Sequence, residues 1–263
     1  MLKVEAMNDI GIFPVRKHGL NIAKLIKAQL NSTIYEPWLD SVSLKSQFAK
    51  LYFTHKQWVF IGANAIALRF LNGIISHKKI DPAVVVVDEA ARYSISLLSG
   101  HEGGANNLAY TVANIINALP VITTASETLK PLVIGIGCRK GVSVNTIEQA
   151  CLKAYPGLNF NEVRLVTTID IKRNELGLQD FCVKHNLNLL IFSQLAIANR
   201  QWYKTKSQFV KKITGSYSVC EPCALMAGNQ SQLIVKKSIY NGVAIAIAQD
   251  LNLPDSNFFK EEL

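Results

Sequence analysis

The chain has 263 residues, of which 49% are hydrophobic and 18% charged, a composition that suits one or two packed domains and excludes a disordered chain. The net charge of +9 is spread out and accompanies no helix-turn-helix, zinc-finger or RNA-binding motif, so we expect no nucleic-acid partner. No apolar run is long enough to cross a bilayer, and no signal-peptide pattern opens the chain. Five cysteines, an odd number, argue against a secreted disulfide scaffold, so we expect a cytoplasmic protein.

The first half alternates short β-rich runs with helical patterns, which is typical of α/β structure with a parallel sheet. In chain order we predict a strand at 58–61, a helix at 63–75, strands at 83–87 and 93–98, a helix at 105–118 and a short strand at 121–123. Four valines follow Ala83, a run so apolar that it predicts a central strand.

Lys130 and Pro131 interrupt this pattern, and we place a domain boundary there, between an N-terminal domain 1–129 and a C-terminal domain 130–263. In the second domain we predict strands at 132–136, 162–167 and 189–192, helices at 143–154 and 178–184, and a β-hairpin of residues 232–237 and 242–248 with Asn241-Gly242 in its turn. The predicted fold is therefore two α/β domains, each with a mostly parallel sheet flanked by helices.

The loop at 99–106 lies between a predicted strand and a predicted helix, where open α/β sheets bind ligands. Its glycines let the backbone approach a bound group, and the helix that follows offers N–H groups to an anion. It lacks the Lys-Ser/Thr ending of a phosphate-binding P-loop. A tight turn with Asn106 near the helix start explains the spacing as well as a ligand site does. The candidate ligand-binding residues in this loop are Ser99, Gly100, Gly103, Gly104 and Asn106.

A second glycine-containing loop, residues 135–141, also follows a predicted strand. It is close to the dinucleotide-binding fingerprint, but its third glycine comes one residue late. Arg139 and Lys140 suit carboxylates or phosphates, and Asp170 ends the next strand, where an acid that binds ribose could lie. A nucleotide-dependent enzyme is therefore one alternative.

Two stretches resemble the cobalt-precorrin-5A hydrolase (CbiG-type) family. The first contains Asp81-Pro82-Ala83, Val87-Asp88-Glu89, the run 97–106 and Pro120 to Ala125, and it is similar to the N-terminal domain of that family. The second is similar to the C-terminal domain. It contains Gly-Ile-Gly-Cys-Arg at 135–139, the run 218–225, and the residues Thr168, Asp170, Lys172, Glu175, Gly177 and Leu178. Residues 1–76 match only loosely.

The chain departs from the family pattern in two places. Many members carry a further region between the two domains, whereas here Ala125 runs almost directly into Leu132. Cys220 and Cys223 stand where the family usually has small residues. A lone Cys-x-x-Cys pair is weak grounds for a zinc or redox site, and buried cysteine packs as a small apolar residue, so we expect packing.

The resemblance implies a hydrolase that opens a δ-lactone on a cobalt-bearing corrin precursor and releases acetaldehyde during cobalamin synthesis. The cobalt arrives with the substrate, so no cofactor or protein metal site is expected. His101 is the first candidate for the catalytic base or acid, since the ordinary pKa of histidine lies near neutrality, and Glu221 is the second. Gly103 and Gly104, or the loop 137–141, could bind the oxyanion. The further substrate-binding candidates are Gly137, Cys138, Arg139, Lys140, Thr168, Asp170 and Ser218.

We expect both loops to lie at the carboxyl ends of parallel strands and to face one cleft. The main rival interpretation is a carrier that holds a corrinoid intermediate without converting it. Other cobalamin-synthesis enzymes are possible partners, as is a second copy of this chain. Trp202 and Tyr203, beside Arg200 and Lys204, could stack on a flat macrocycle.

Overall fold

The computed structural model describes residues 10–199, 218–228 and 230–251, together with positions 208 and 211. The aromatic pair Trp202 and Tyr203 lies outside the described residues. The chain divides into two compact units, residues 1–124 and residues 125–263; the sequence-based boundary lies after residue 129. No helix in the described part of the chain is long and apolar enough to span a bilayer.

Unit 1 is built on a six-stranded sheet with the strand order β2-β1-β3-β4-β5-β6. Its strands are β1 (Ile10–Pro14), β2 (Ser32–Ile34), β3 (Gln57–Ile61), β4 (Ala83–Val87), β5 (Tyr93–Leu98) and β6 (Leu119–Val121). Four of the five neighbouring pairs are parallel, and β4 with β5 is antiparallel. The predicted α/β class with a mostly parallel sheet is confirmed for this unit.

Helices cover both faces of this sheet because its strands are apolar on both sides. The helices are α1 (Leu20–Lys27), α2 (Leu44–Leu51), α3 (Asn64–Leu71) and α4 (Ala105–Ile116), with short 3₁₀ turns at Lys17–Gly19, Pro37–Leu39 and Tyr52–Thr54. In β3, Val59 and Ile61 face the core that α1 and α4 close, whereas Trp58 and Phe60 face the core that α2 and α3 close. The alternation follows from the two-residue period of a strand.

The antiparallel pairing of β4 with β5 decides at which edge of the sheet the loop at 99–106 lies. Only residues 88–92 connect the two strands, far fewer than the dozen or so that a parallel crossover needs. The Asp88 carboxylate closes the turn by accepting hydrogen bonds from the backbone N–H groups of Arg92 (2.7 Å) and Tyr93 (2.8 Å). The end of β5 therefore lies where β4 begins, with Leu98 opposite Val84.

Unit 2 is built on a five-stranded sheet with the order β10-β11-β7-β8-β9. Its strands are β7 (Leu132–Cys138), β8 (Val163–Ile169), β9 (Asn188–Phe192), β10 (Ser231–Tyr240) and β11 (Val243–Asp250). The pairs β7–β8 and β8–β9 are parallel, whereas β11 is antiparallel to both of its neighbours. This sheet is thus evenly mixed, because the predicted hairpin joins it beside β7.

The described helices of unit 2 are α5 (Ala125–Thr128), α6 (Val144–Ala154), α7 (Leu176–Lys184), α8 (Gln194–Ala198) and α9 (Cys220–Met226), with 3₁₀ turns at Phe160–Glu162 and Asp170–Lys172. Ser143 caps α6, its side chain accepting from the N–H of Thr146. Asn241 and Gly242 have φ values of 47° and 82°, which the primed hairpin turn requires. The predicted hairpin is confirmed.

Candidate functional site

The first loop, residues 99–104, forms a tight turn between β5 and α4. Ser99 has a φ of 55°, and its hydroxyl donates to the carbonyl oxygen of Asp81 at 3.0 Å. The Ser99 carbonyl accepts from the N–H groups of Gly103 (3.0 Å) and Ala105 (3.2 Å). The loop therefore folds back on its own first residue, and both the hydroxyl and the carbonyl of Ser99 are hydrogen-bonded.

The three glycines of this loop each have a steric reason. Gly104 has a φ of 84° immediately before α4, a conformation that favours glycine. A Cβ on Gly103 would lie 2.6 Å from the Cβ of Ser99, and one on Gly100 would lie 2.7 Å from Oδ1 of Asn106. Close approach of the loop to itself and to α4 thus accounts for them.

Asn106 is buried, with 5% of its surface exposed. Its Oδ1 accepts from the hydroxyl of Ser96 at 2.8 Å, and its Nδ2 donates to Oγ1 of Thr124 at 2.9 Å. Both ends of the carboxamide are therefore engaged inside unit 1. The structure gives Ser99 and Asn106, which we predicted to bind substrate, contacts within the protein.

His101 and Glu102 are the exposed side chains at the tip of the loop. Glu102 pairs with the ammonium group of Lys78 at 2.8 Å, and this hydrogen bond lowers the pKa of the carboxylate. The candidate base His101 thus projects from a turn whose backbone is fixed behind it.

We expected this loop to lie at the edge of the sheet where the parallel strands end. That expectation was wrong for β1, β3 and β4, which end at the opposite edge. Because β5 runs against β4, its carboxyl end meets the edge where β3 and β4 begin. A Cβ on Gly103 would lie 3.5 Å from Ala83, at the start of β4, and one on Gly104 would lie 3.3 Å from Nε2 of Gln57, at the start of β3.

The opposite edge of the sheet carries a different polar cluster. Glu89 lies 3.1 Å from Nε2 of His18 and 3.9 Å from Nη1 of Arg16. Burial alone would raise the pKa of Asp88, but hydrogen bonds from the Arg92 guanidinium and from the turn N–H groups outweigh it and lower that pKa. Asp88 therefore stabilises the turn before β5.

The second loop, residues 138–141, does lie at the carboxyl ends of three parallel strands, β7, β8 and β9, as we predicted. The backbone N–H of Arg139 donates to the carbonyl of Gly242 at 3.0 Å, and a Cβ on Gly242 would lie 2.7 Å from Cδ of Arg139. Arg139 and Lys140 are exposed. Within the described ranges no carboxylate lies within ion-pair distance of either cation, so both are available to an anionic ligand.

Glu175 and Lys172 support this loop, although neither was among the site residues predicted from the sequence. Oε1 of Glu175 accepts from the N–H of Gly141 at 2.7 Å, and its Oε2 lies 3.5 Å from Nζ of Lys172. A Cβ on Gly177 would overlap the carbonyl of Val142, so the start of α7 packs directly on the loop. The sequence could have indicated both residues, because they are charged and follow shortly after the buried strand β8.

Three further candidates in unit 2 are engaged or buried within the protein. The Thr168 hydroxyl donates to the carbonyl of Ile136 at 2.8 Å, and Oδ2 of Asp170 accepts from the N–H of Gln194 at 3.1 Å. Ser218 is completely buried. The Thr168 and Asp170 side chains thus connect the ends of β7, β8 and α8 at the edge that carries Arg139.

Glu221, the second candidate for a catalytic base, is completely buried. Its Oε1 accepts from the N–H of Lys237 at 3.1 Å, in the irregular part of β10 where the pairing with β11 shifts register. This hydrogen bond holds α9 against β10. A catalytic role for Glu221, which requires that the carboxylate reach the water it activates, stays a prediction.

Burial disfavours the thiolate form of the cysteines in unit 2. Burial raises the pKa of Cys138 to about 11 and that of Cys220 to about 12, and the Cys223 pKa is also raised by burial. Because the thiolate is the reactive form, these thiols are poor nucleophiles at neutral pH. Among the described residues no group of three or more His, Cys, Asp or Glu side chains could hold a metal ion.

Packing also explains the glycine that had suggested a dinucleotide site. A Cβ on Gly135 would overlap the carbonyl oxygen of Cys220, so this glycine lets α9 lie directly on β7. Asp170, the candidate ribose-binding acid, is engaged with the start of α8. Packing thus accounts for Gly135 and for one carboxylate oxygen of Asp170 without a nucleotide.

The available N–H donors are fewer than the sequence suggested. The N–H groups of Gly103, Arg139 and Gly141 all donate to acceptors within their own unit. Those of Gly104 and Lys140 have no such bond among the described residues. Gly104 and Lys140 therefore remain candidates for binding the oxyanion.

Two family models match this chain: "Cobalamin synthesis G N-terminal" over residues 46–127 and "Cobalamin synthesis G C-terminus" over residues 132–248. The chain belongs to the cobalamin synthesis G family. The two matches leave only residues 128–131 between them, so in this member the two conserved domains follow one another directly.

Cobalamin synthesis G relatives align over nearly the whole chain. A cobalt-precorrin-5A hydrolase of Priestia megaterium is 24% identical over 354 aligned positions, which cover 91% of this chain and 94% of that protein. The alignment is 91 positions longer than this chain, so at least that many positions of the relative have no counterpart here. A cobalt-precorrin-5A hydrolase of Salmonella typhimurium is 38% identical over 45% of this chain and 36% of its own length. Among solved structures, CobE, from the cobalamin biosynthetic pathway, is 25% identical and covers 46% of this chain and 91% of its own, with a TM-score of 0.43.

Proposed function

We propose that this chain hydrolyses cobalt-precorrin-5A, opening its δ-lactone with release of acetaldehyde during cobalamin synthesis. The observation that carries the proposal is the presence of both family domains in one chain, in order, with an alignment over 94% of a relative named for that reaction. The cobalt is part of the substrate, so the mechanism calls on no protein-bound metal or cofactor.

Lactone opening adds water to an ester carbonyl, which requires a base for the water and donors for the oxyanion that forms. His101 is exposed at the tip of a rigid turn, so its imidazole can take the proton from water and return it to the leaving alkoxide. The N–H of Gly104, three residues along the same loop, can bind the oxyanion.

The acetate and propionate groups at the rim of the macrocycle call for cations on the protein. Arg139 and Lys140 are exposed and lack carboxylate partners among the described residues. Their backbone is fixed by Gly242 on one side and by Glu175 on the other. A guanidinium group can bind a carboxylate through two parallel hydrogen bonds, and an ammonium group can pair with one as a point charge, so these two residues are suited to hold the substrate.

The direct test is incubation of the full chain with cobalt-precorrin-5A in the absence of oxygen. We expect about one equivalent of acetaldehyde for each substrate converted, measured by enzymatic reduction coupled to NADH oxidation. A chain that binds the corrinoid, seen as a shift of its absorption spectrum, but releases no acetaldehyde would not be a hydrolase.

A carrier of corrinoid intermediates is the second candidate. It is favoured by the positions that the Priestia megaterium relative has and this chain lacks. A carrier would bind the corrinoid stoichiometrically and pass it unchanged to a following enzyme of the pathway.

We place either activity in the cytoplasm. Other cobalamin-synthesis enzymes or a second copy of this chain are candidate partners. Size-exclusion chromatography with and without corrinoid tests whether the chain self-associates.

A further inference from the structure

The Asn106 side chain joins the loop that carries His101 to two other segments of unit 1. Its carboxamide bonds Ser96 in β5 and Thr124 at the end of the unit. Its backbone N–H donates to the carbonyl of Gly100 at 3.1 Å. One residue at the start of α4 thus contacts the strand before the loop, the loop itself and the segment after β6.

Gly100 lies tightly against this network. A Cβ there would lie 2.7 Å from Oδ1 of Asn106 and 2.7 Å from Cγ2 of Thr124, so the backbone of Gly100 is seated on both side chains. His101 follows Gly100 directly in the chain. Any movement of the Asn106 carboxamide or of Thr124 removes the support beneath the residue that precedes the imidazole.

We propose that Asn106 is a positioning residue that holds His101 in place through Gly100, and that it does not itself bind substrate. This inference rests on the proposed hydrolase function. Asn106 is 5% exposed, and Ser96 and Thr124 use both ends of its carboxamide. A displacement of about 1 Å in a catalytic group can lower turnover about 100-fold, so the network controls the rate.

The test compares Asn106→Ala with variants of its two hydrogen-bond partners, Ser96→Ala and Thr124→Val, in the full chain. We expect kcat for acetaldehyde release to fall roughly 10-fold or more in each, with KM changed by less than about 3-fold, as for a group that acts on the transition state alone. Thr124→Ser keeps the hydroxyl that accepts from Asn106 and is expected to restore most of the rate. The double variant of Ser96 and Asn106 should be no slower than Asn106→Ala, because both changes break one network.

A substrate ligand would behave differently. Asn106→Ala would then raise KM with little change in kcat, and Ser96→Ala and Thr124→Val would be silent. That pattern would overturn the inference. If Asn106→Ala does not fold, Thr124→Val with its Thr124→Ser control still decides between the two.

Hydrogen exchange gives a measure that does not depend on hydrolase activity. The amides of Gly103, Ala105 and Asn106 are bonded within the loop, so Thr124→Val should speed their exchange while leaving the amides of β4 protected. Unchanged exchange in the loop would overturn the inference. If the unmodified chain releases no acetaldehyde, the hydrolase proposal fails, and the exchange result alone then decides whether Asn106 positions the loop.

Discussion

His101 differs from the rest of its loop because its neighbours have partners inside unit 1 and it projects from the surface. We expect His101→Ala to leave the fold and corrinoid binding intact and to lower acetaldehyde release about 10²–10⁴-fold, the usual loss for one acid–base group. His77→Ala, which removes an exposed histidine outside this loop, is the matched control and should retain full activity.

Thermal unfolding of His101→Ala tests the same assignment. A variant that melts early yet turns over normally while folded would make His101 a structural turn residue.

Arg139 is predicted to act in binding rather than in the chemical step. Its backbone is fixed by Gly242, and its side chain has no carboxylate partner among the described residues. We expect Arg139→Ala to weaken corrinoid binding by about 1.5–3 kcal/mol, the contribution of a hydrogen bond to a charged group, measured by titration of the absorption spectrum. Arg69→Ala, at an exposed position on α3, is the control. Unchanged binding with collapsed turnover would assign Arg139 to the transition state instead.

At the scale of elements, α9 packs on β7 at Gly135. This packing, rather than a bound ligand, can explain why a glycine occupies that position, and Gly137 provides the comparison. A Cβ on Gly135 would overlap Cys220, whereas the nearest atom to a Cβ on Gly137 is 3.8 Å away, an ordinary contact. Gly135→Ala should therefore lower the free energy of unfolding by about 1–3 kcal/mol or more, as overpacking does, and Gly137→Ala should be nearly neutral. Urea unfolding of the two variants makes this comparison.

The direction of β5 is a second matter decided between elements. The five residues 88–92 could have indicated an antiparallel pair, since no parallel connection is that short. The alternation of strands with helices elsewhere favoured a mostly parallel sheet. The reversal moves the loop after β5 to the edge where β3 and β4 begin, away from the ion-paired cluster of Arg16, His18 and Glu89.

At the scale of the whole molecule, all five cysteines lie in unit 2, which gives the two units different responses to alkaline pH. Burial raises the pKa of Cys151, Cys182 and Cys220 to about 12, above the ordinary 9.0 of the unfolded chain. Above pH 9 the unfolded chain therefore releases protons that the folded chain retains, so stability falls as pH rises.

We expect each of these thiols to lower the free energy of unfolding by about 1 kcal/mol between pH 9 and pH 10. Hydrogen exchange should show unit 2 losing protection before unit 1, which has no cysteine. Cys182→Ala should reduce the alkaline loss relative to the unmodified chain. An equal loss in both units would contradict the assignment to the thiols.

We also predicted that one substrate contacts the loops of both units, and this stays a prediction.

The α/β class, most element positions and the hairpin turn at Asn241-Gly242 could be predicted from the sequence, because they depend on the local period of apolar residues and on turn chemistry. The family could also be identified, since its motifs are contiguous runs. The roles of the polar side chains could not be predicted from the sequence, because each depends on a partner distant in the chain. Asn106 meets Thr124, Glu221 meets Lys237 and Glu175 meets Gly141 only once the strands have paired. Tertiary packing therefore decided which candidate side chains are engaged inside the protein and left His101, Arg139 and Lys140 exposed to meet a substrate.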